Sequence, residues 1–268
     1  MHWIIQTNLV GDADVRRLRE ALERLDTPYT DVKLIPIVRQ LEFVPQVEGP
    51  VFVYGTTYIH RGAYEQHWVP GYVGGKVDYQ AVAEGYGEQM LNSDATYATL
   101  RDLVIPDGDI LFVRPDNDGK LFTGAAMDQT ELEALRGVIV GQQGSEEALN
   151  ERVVVSSPKK ILSEVRCLVV DGRVVTASFY RRGGQVFLSD QVDQAVLDYA
   201  QAQVDRYNPD IGFALDVADT SEGFRIVEIN ALSSCGLYAC DLNRFVDAVN
   251  QLEGKLDPQP GVRRISSL

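Results

Sequence analysis

The chain has 268 residues, 45% hydrophobic and 24% charged, the balance of a globular protein able to bury a substantial core. Its formal net charge of −14 argues against sequence-independent attraction to nucleic acid or an anionic membrane, so neither is expected as a partner. The three cysteines and three histidines fall in no CxxC, HExxH or mixed Cys/His spacing, which argues against a zinc hydrolase and for a reducing, cytoplasmic setting.

Met1–Val10 (MHWIIQTNLV) lacks a basic start and a small-residue cleavage site and reads as a first strand. No apolar run approaches the ~20 residues that a membrane span requires. GDAD then forms a turn with a cap candidate, and VRRLREALERL has the spacing of an amphipathic helix. DVKLIPIV is a second extended segment, and PVFVY a buried strand that Gly55 lets exit tightly toward Thr56 and Thr57. Strand alternating with helix predicts a mostly parallel α/β layer over residues 1–92, closing with a short helix at AVAEGYGEQML.

A new unit is predicted from Ser93. SDATYATLRDL has a cap followed by helical spacing, DGDILFVRP is a strand closed by proline, and NDGKLFTGAAM is a glycine-containing loop or hairpin return. DQTELEALRGVI reads as a helix and ERVVVSS as a strand, completing a unit over 93–157. From residue 158 to 255 a third unit follows. EVRCLVV and RVVTASFYRR make a hairpin about Asp171-Gly172, SDQVDQAVLDYAQAQVDRY is a long helix, and LNRFVDAVNQLEG is the last helix. Residues 256–268 read as a linker-like tail.

Between those two helices lies the most informative stretch, IGFALDVADTSEGFRIVEINALSSCGLYAC. FALDVA and FRIVEIN are apolar strands joined by DTSEG, so a hairpin brings Asp216 near Glu228. Glu228 and Asn230 are two apart and share a strand face. Two carboxylates and an amide oxygen suit Mg²⁺, which keeps waters and bridges to substrate phosphates; the alternative is an ordinary hairpin with a wet polar face.

The cations follow an order. Arg114 ends a strand, Lys120 sits in the loop beyond it, and Lys159 and Lys160 follow VVVSS. Arg166 lies inside an apolar strand, two residues from Glu164 and on its face, where it must pair or meet a ligand. Arg181 and Arg182 end the return strand and point opposite ways, so only one of them is expected to reach a site.

This order of features resembles the ATP-grasp superfamily, in particular the branch of glutathione synthetase and the ribosomal-protein glutamate ligases, and within it the compact phage and bacterial clade. The resemblance spans about Ser93–Glu253. It implies an ATP-grasp fold of α+β subdomains behind an N-terminal α/β pre-domain. It further implies that Asp216, Glu228 and Asn230 hold one or two Mg²⁺ ions against ATP, and that Arg114 takes the phosphate-side place where relatives carry lysine. Val155 and Ser156, in VVVSSPKK with Lys159 and Lys160, would edge the adenine, and Lys120, Phe122 and Gly124 would belong to a flap over the nucleotide. Glu164 and Arg166 match the family's (D/E)xR pair, with Arg166 and Arg181 or Arg182 facing the transferred phosphoryl group. The segment ALSSCGL departs from the usual small-residue-proline-glycine turn, with Cys235 in the proline-like place. The implied activity is an ATP-dependent carboxylate–amine ligase that joins a small-molecule or peptide acid to an amine through an acyl phosphate. The alternatives are a nucleotide-sensing module and a phosphotransferase. A homodimer is compatible with the sequence.

Overall fold

The computed structural model describes residues 1–8, 10–74, 79–116 and 121–255. The first unit contains β1 (His2–Gln6), α1 (Asp12–Arg24), β2 (Tyr29–Val32), a small hairpin of β3 (Leu34–Ile35) and β4 (Gln40–Leu41), β5 (Val51–Tyr54), α2 (Ile59–Glu65) and β6 (Pro70–Gly71). Its sheet runs β2-β1-β5-β6 with parallel pairing throughout, as alternating strands and helices dictate. Trp3 and Ile5 face α1, while Ile4, Val51 and Val53 pack with Ile59 and Ala63 of α2 on the other side. Helix α2 is unexpected from sequence: TTYIHRG reads as an extension beyond β5, but Ile59 and Ala63, four apart, meet that apolar face.

Helix α3 (Tyr79–Tyr86) follows, and its Val82 and Tyr86 are buried in the core of the C-terminal sheet rather than in the first unit. Leu91 N–H also donates to the Ile226 carbonyl at 2.7 Å, so the connector up to residue 92 is fastened to the last domain.

The middle unit holds β7 (Thr96–Thr99), β8 (Leu111–Pro115), β9 (Ala125–Met127), α4 (Gln129–Gln143) and β10 (Arg152–Ser156). The sheet order is β7-β10-β8-β9, with antiparallel pairing. One expectation is overturned here: SDATYATLRDL contains a strand, not a helix. TYAT is rich in β-branched and aromatic residues, and β10 offers it a ladder, with Thr96 opposite Val155 and Thr99 opposite Arg152. Helix α4 begins as its sequence demands. Asp128 accepts from the Glu131 N–H while Glu131 accepts from the Asp128 N–H, a reciprocal capping box. Val113, Val153 and Val155 face α4 with Leu132 and Ile139, so the alternating Phe112 and Arg114 turn to the opposite side.

The last unit is built on β11 (Ile161–Val170), β12 (Arg173–Arg182), β13 (Gln185–Ser189), α5 (Gln194–Arg206), β14 (Gly212–Thr220), β15 (Gly223–Ala231) and α6 (Leu242–Gln251). The order is β13-β12-β11-β14-β15, with each neighbouring pair antiparallel. One face, with Val165, Cys167, Phe213, Leu215 and Val217, packs on α5 and α3. From the other face, Leu168, Val170 and Ala214 join α6, α1 and β1 in one continuous core. All three cysteines are buried free thiols. The strand β13 has no counterpart among the elements read from sequence.

The junction between the first and last units is an aromatic cluster. Phe245 of α6 meets Trp3 edge-on with ring centroids 5.7 Å apart and lies 6.3 Å from Phe52. All three side chains are fully buried. Phe245→Ala is therefore expected to lower unfolding free energy by about 3–5 kcal/mol, read from urea denaturation of the full chain. A midpoint equal to wild type would mean that this junction lies outside the cooperative core.

Candidate active site

One row of residues crosses four strands of the C-terminal sheet. Ser178 of β12 stands opposite Arg166 of β11, Arg166 opposite Asp216 of β14, and Asp216 opposite Glu228 of β15. Arg166 donates from Nε to Asp216 Oδ1 at 2.8 Å and from Nη2 to Oδ2 at 2.7 Å, a bidentate fork. Both partners are buried, Asp216 to 1% exposure. Burial pushes the Asp216 carboxyl up to about 6, against the pull of Arg166; Glu228 and Glu164 add to the rise. Burial also acts to discharge Arg166, but its hydrogen bonds to Asp216 prevail and raise its pKa above the ordinary arginine value.

The three expected metal ligands come together. Asn230 Nδ2 donates to Glu228 Oε1 at 3.0 Å and to Asp216 Oδ2 at 3.3 Å, so the amide sits between the two carboxylates. Among the described residues no group of three or more His, Cys, Asp or Glu is placed to hold a metal; this site offers two carboxylates and an amide. A half-turn of the Asn230 amide would present its oxygen where its nitrogen lies, which gives the hard-oxygen donor set that suits Mg²⁺.

A bulge makes this possible. The β14–β15 register shifts between Asp216–Glu228 and Val217–Ile226, so Val227 is the extra residue. Strict alternation would put Ile226 and Glu228 on one face. With the bulge, Ile226 is buried on the α5 side while Glu228 turns to the opposite face. A second bulge acts on β12. The register shifts between Val165–Phe179 and Glu164–Arg181, making Tyr180 the extra residue. Tyr180 and Arg181 thus both reach Glu164: the Tyr180 hydroxyl donates to Oε2 at 2.8 Å and Arg181 Nη1 to Oε1 at 3.3 Å. Glu164 pairs with these residues and not with Arg166. Arg182 goes the other way, its guanidinium lying over Phe179 and Phe187 at 4.8 and 4.4 Å from their ring centroids. Of the two terminal arginines, Arg181 is on the site face and Arg182 is not.

The middle unit supplies the facing wall. Arg114 Nη1 comes within 4.0 Å of Glu228 Oε2 across the gap between the two sheets. Gly124 lets the return strand cross close above: a Cβ there would fall 2.8 Å from Arg114 Cβ and 3.0 Å from the Phe112 ring. Lys120 lies outside the described residues, whereas Phe122 packs against the α4 core. Val155 is paired with Thr96 on one side and Val113 on the other, so its backbone is interior to the sheet and has no edge to offer a base. Strand β7 ends there, and the open edge begins at Ser156. Ser156 Oγ is buried with no hydrogen-bond partner among the described residues. Lys159 is drawn to the side, pairing with Asp94 at 2.9 Å. Asp94 is lowered to about 2: partial burial acts to raise it, and hydrogen bonds from Ser157 and Lys159 outweigh that. Lys160 is exposed.

Several site residues escape a reading of the sequence. Tyr238, with a left-handed φ of 45°, stacks on Tyr180 with ring centroids 5.2 Å apart, and Arg166 lies over both rings. Helix α1 holds that loop: Asp14 accepts from the Leu237 N–H at 3.0 Å, and Arg17 donates to the carbonyls of Tyr238 and Cys240. Only the helical spacing of α1 is visible in sequence; nothing local marks Asp14 or Arg17 as grips. Cys235 is buried, its thiol pushed up to about 12 by that burial, so it is a packed side chain rather than a reactive one.

The buried fork yields a test. Asp216→Leu leaves Arg166 buried and unpaired and is expected to cost about 3–5 kcal/mol in urea unfolding. The double variant Asp216→Leu/Arg166→Met removes both charges and is expected to recover much of that loss. A double variant no more stable than the single one would contradict the pairing.

Residues 93–248 match the model of the ATP-grasp domain, R₂K clade family 2. No curated protein matches the chain in sequence. Among solved structures, the D-alanine–D-alanine ligase of Bacillus anthracis complexed with ATP superposes with a TM-score of 0.61 at 12% identity, covering 95% of this chain and 98% of that one. The RimK domain ATP-grasp protein of Sphaerobacter thermophilus gives 0.56 at 13% identity over 87% and 92% of the two chains. The ATP-grasp ligase PsnB complexed with a minimal precursor gives 0.54 at 16% identity over 93% and 98%. At these identities the likeness speaks to fold, and the fold agrees with the family model matched over more than half of the sequence. The chain belongs to the ATP-grasp superfamily, in family 2 of the R₂K clade.

Proposed function

We propose that the protein is an ATP-dependent carboxylate–amine ligase working through an acyl phosphate. The observation that carries this reading is the approach of Arg114 on one sheet to Glu228 on the other, with Asn230 and Asp216 beside it. A cation on one wall and oxygen donors on the other make a cleft suited to a triphosphate and its counter-ion. The solved structures that share the fold include two named as ligases, one complexed with ATP and one with a precursor. The acid and amine are accordingly sought among small molecules and peptides.

In the reaction an oxygen of the substrate carboxylate attacks the γ-phosphorus of ATP, the bond to the β-phosphate oxygen breaks, and ADP leaves. The amine nitrogen then attacks the acyl carbon, inorganic phosphate departs, and the nitrogen loses a proton. Both steps move negative charge, so the chain's contribution is positioning and charge compensation. Asp216, Glu228 and Asn230 are the residues that would hold Mg²⁺, which when bound neutralises the phosphates. Arg114 meets the phosphates from the opposite wall, and Lys120 is assigned to nucleotide binding. Ser156 and the open edge from Ser156 to Lys160 border the base. Arg181, on the site face beside Glu164, is the cation available to the transferred phosphoryl group. Arg166, held on Asp216, positions that carboxylate. Residues 1–92, 93–157 and 158–255 serve as pre-domain, small subdomain and metal-bearing subdomain, with α3 lent by the first to the core of the last. Three buried free thiols fit a cytoplasmic setting, and among the described residues no helix is long and apolar enough to cross a membrane.

The test is incubation of the full chain with ATP, Mg²⁺, pooled amino acids and acidic peptides, and hydroxylamine, which converts an acyl phosphate to a hydroxamate. Hydroxamate together with ADP is the expected result. Glu228→Ala is expected to lower turnover by about 10²–10³-fold. ADP with a stable phosphorylated product and no hydroxamate would mean a phosphotransferase. Nucleotide binding with no ADP formed under any acid–amine pool would mean a sensing module.

A further inference from the structure

The backbone between β15 and α6 is gripped from several elements at once. The Ser178 and Thr176 hydroxyls of β12 accept from the Ala239 and Asp241 N–H groups at 3.0 and 2.9 Å. Arg166 Nη1 of β11 donates to the Gly236 carbonyl at 3.4 Å. Helix α1, from another unit, takes the groups between. Asp14 accepts from the Leu237 N–H at 3.0 Å. Arg17 donates from Nη1 to the Tyr238 carbonyl and from Nη2 to the Cys240 carbonyl, the latter at 2.7 Å. Asp14 and Arg17 are three apart and share a helix face.

These bonds bracket one residue. Tyr238 has a φ of 45°, a conformation that a side chain with a Cβ disfavours, and α1 holds the amide before it and the carbonyl that it carries. That backbone lays the ring on Tyr180, with centroids 5.2 Å apart and planes 17° from parallel, and 5.0 Å from the Arg166 guanidinium. Gly236 leaves it room, since a Cβ there would fall 3.1 Å from the ring. Both tyrosines are half-buried, so the stack is a wall rather than core. It stands over β12 and β11, whereas Arg114 approaches Glu228 on β15, beyond the Arg166–Asp216 fork. The wall therefore lies apart from the side assigned to the phosphates.

The chemistry of the ring selects between the two co-substrates. The Tyr238 hydroxyl has no hydrogen-bond partner among the described residues, and burial raises its pKa, so it stays a proton donor. A carboxylate is an acceptor only and has an oxygen to spare for that donor while the other attacks phosphorus. An amine needs its lone pair free for attack.

We propose that Tyr238 receives the substrate carboxylate and that Asp14 and Arg17 are the positioning residues that hold it there. The inference rests on the ligase reading above. It is tested on the full chain with ATP, Mg²⁺, hydroxylamine as the amine, and the acid that the pool yields. Tyr238→Phe keeps the stack and removes the hydroxyl; Arg17→Met keeps the hydroxyl and releases the backbone. Each is expected to raise the KM of the acid about tenfold and to leave that of ATP at its wild-type value. The double variant is expected to be no worse than Arg17→Met, because both changes act through one ring. Hydrogen exchange reads the clamp without turnover: amides of residues 237–241 are expected to exchange faster in Arg17→Met, and those of β14 at the wild-type rate.

Additive effects of the two substitutions, an unchanged acid KM in either variant, or unchanged exchange across residues 237–241 would overturn the inference while the ligase reading stands. A wild type that forms no hydroxamate and no ADP would overturn that reading, and with it the role given to Tyr238.

Discussion

The fork between Arg166 and Asp216 is the constraint from which the rest of the site follows. Taking two ions out of water costs several kcal/mol per ion, roughly, and only good geometry with added hydrogen bonds offsets it. Here two bonds of 2.8 and 2.7 Å lock a guanidinium plane to a carboxylate across the β11–β14 ladder. A slip of one residue would carry Asp216 to the α5 face and leave Arg166 without a partner in an apolar layer. The pair therefore specifies register more than it stabilises. Once that register is fixed, Glu228 stands opposite Asp216 and Glu164 lies two residues from Arg166 on the same face.

Much of this is legible in the residues, and the reason is periodicity. Asp216 interrupts an apolar strand, Glu228 and Asn230 are two apart, and Asp171-Gly172 fixes a hairpin; each is a local fact that a pleated strand turns into geometry. What escapes is what periodicity cannot encode. Two bulges, at Tyr180 and Val227, decide which side chains share the site face. Without the first, Tyr180 could not lie with Arg181 against Glu164. Without the second, Glu228 would share its face with the buried Ile226. A bulge depends on the partner strand's register, and one segment read alone does not contain it. The same holds for TYAT, whose helical neighbours mask a strand that exists because β10 has a free edge. Val155 is the reverse case: its place at the strand end suggests an exposed hinge, but both of its sides are taken.

The charge balance of the chain sharpens the meaning of the site. A protein of net charge −14 repels a polyanion at long range, so a triphosphate must be drawn in by cations concentrated in one cleft. The arginines present are mostly committed. Arg166 belongs to Asp216, Arg181 leans on Glu164, and Arg114 approaches Glu228. Such pairing restrains the side chains against the sheets. On the proposed reading, an entering phosphate would exchange one set of oxygens for another without ordering a flexible cation, which lowers the cost of binding.

The segment that follows β15 is shaped from outside the large sheet. The loop after Asn230 is gripped by the first unit at several points. Gly55 N–H donates to the Ser233 carbonyl, the Tyr54 hydroxyl to the Cys235 carbonyl, and Val73 N–H to the Ser233 hydroxyl. Asp14 and Arg17 of α1 hold the segment from Leu237 to Cys240. Tyr238 is thereby kept in a left-handed conformation that a bulky residue does not adopt freely, and laid flat on Tyr180 beside the Arg166 fork. Asp216, Glu228 and Asn230 sit on the large sheet, while the segment next to them is held by β5 and α1. On the proposed ligase reading, repacking α1 against residues 232–241 would reshape the space beside Asp216, Glu228 and Asn230 while leaving those three residues unchanged.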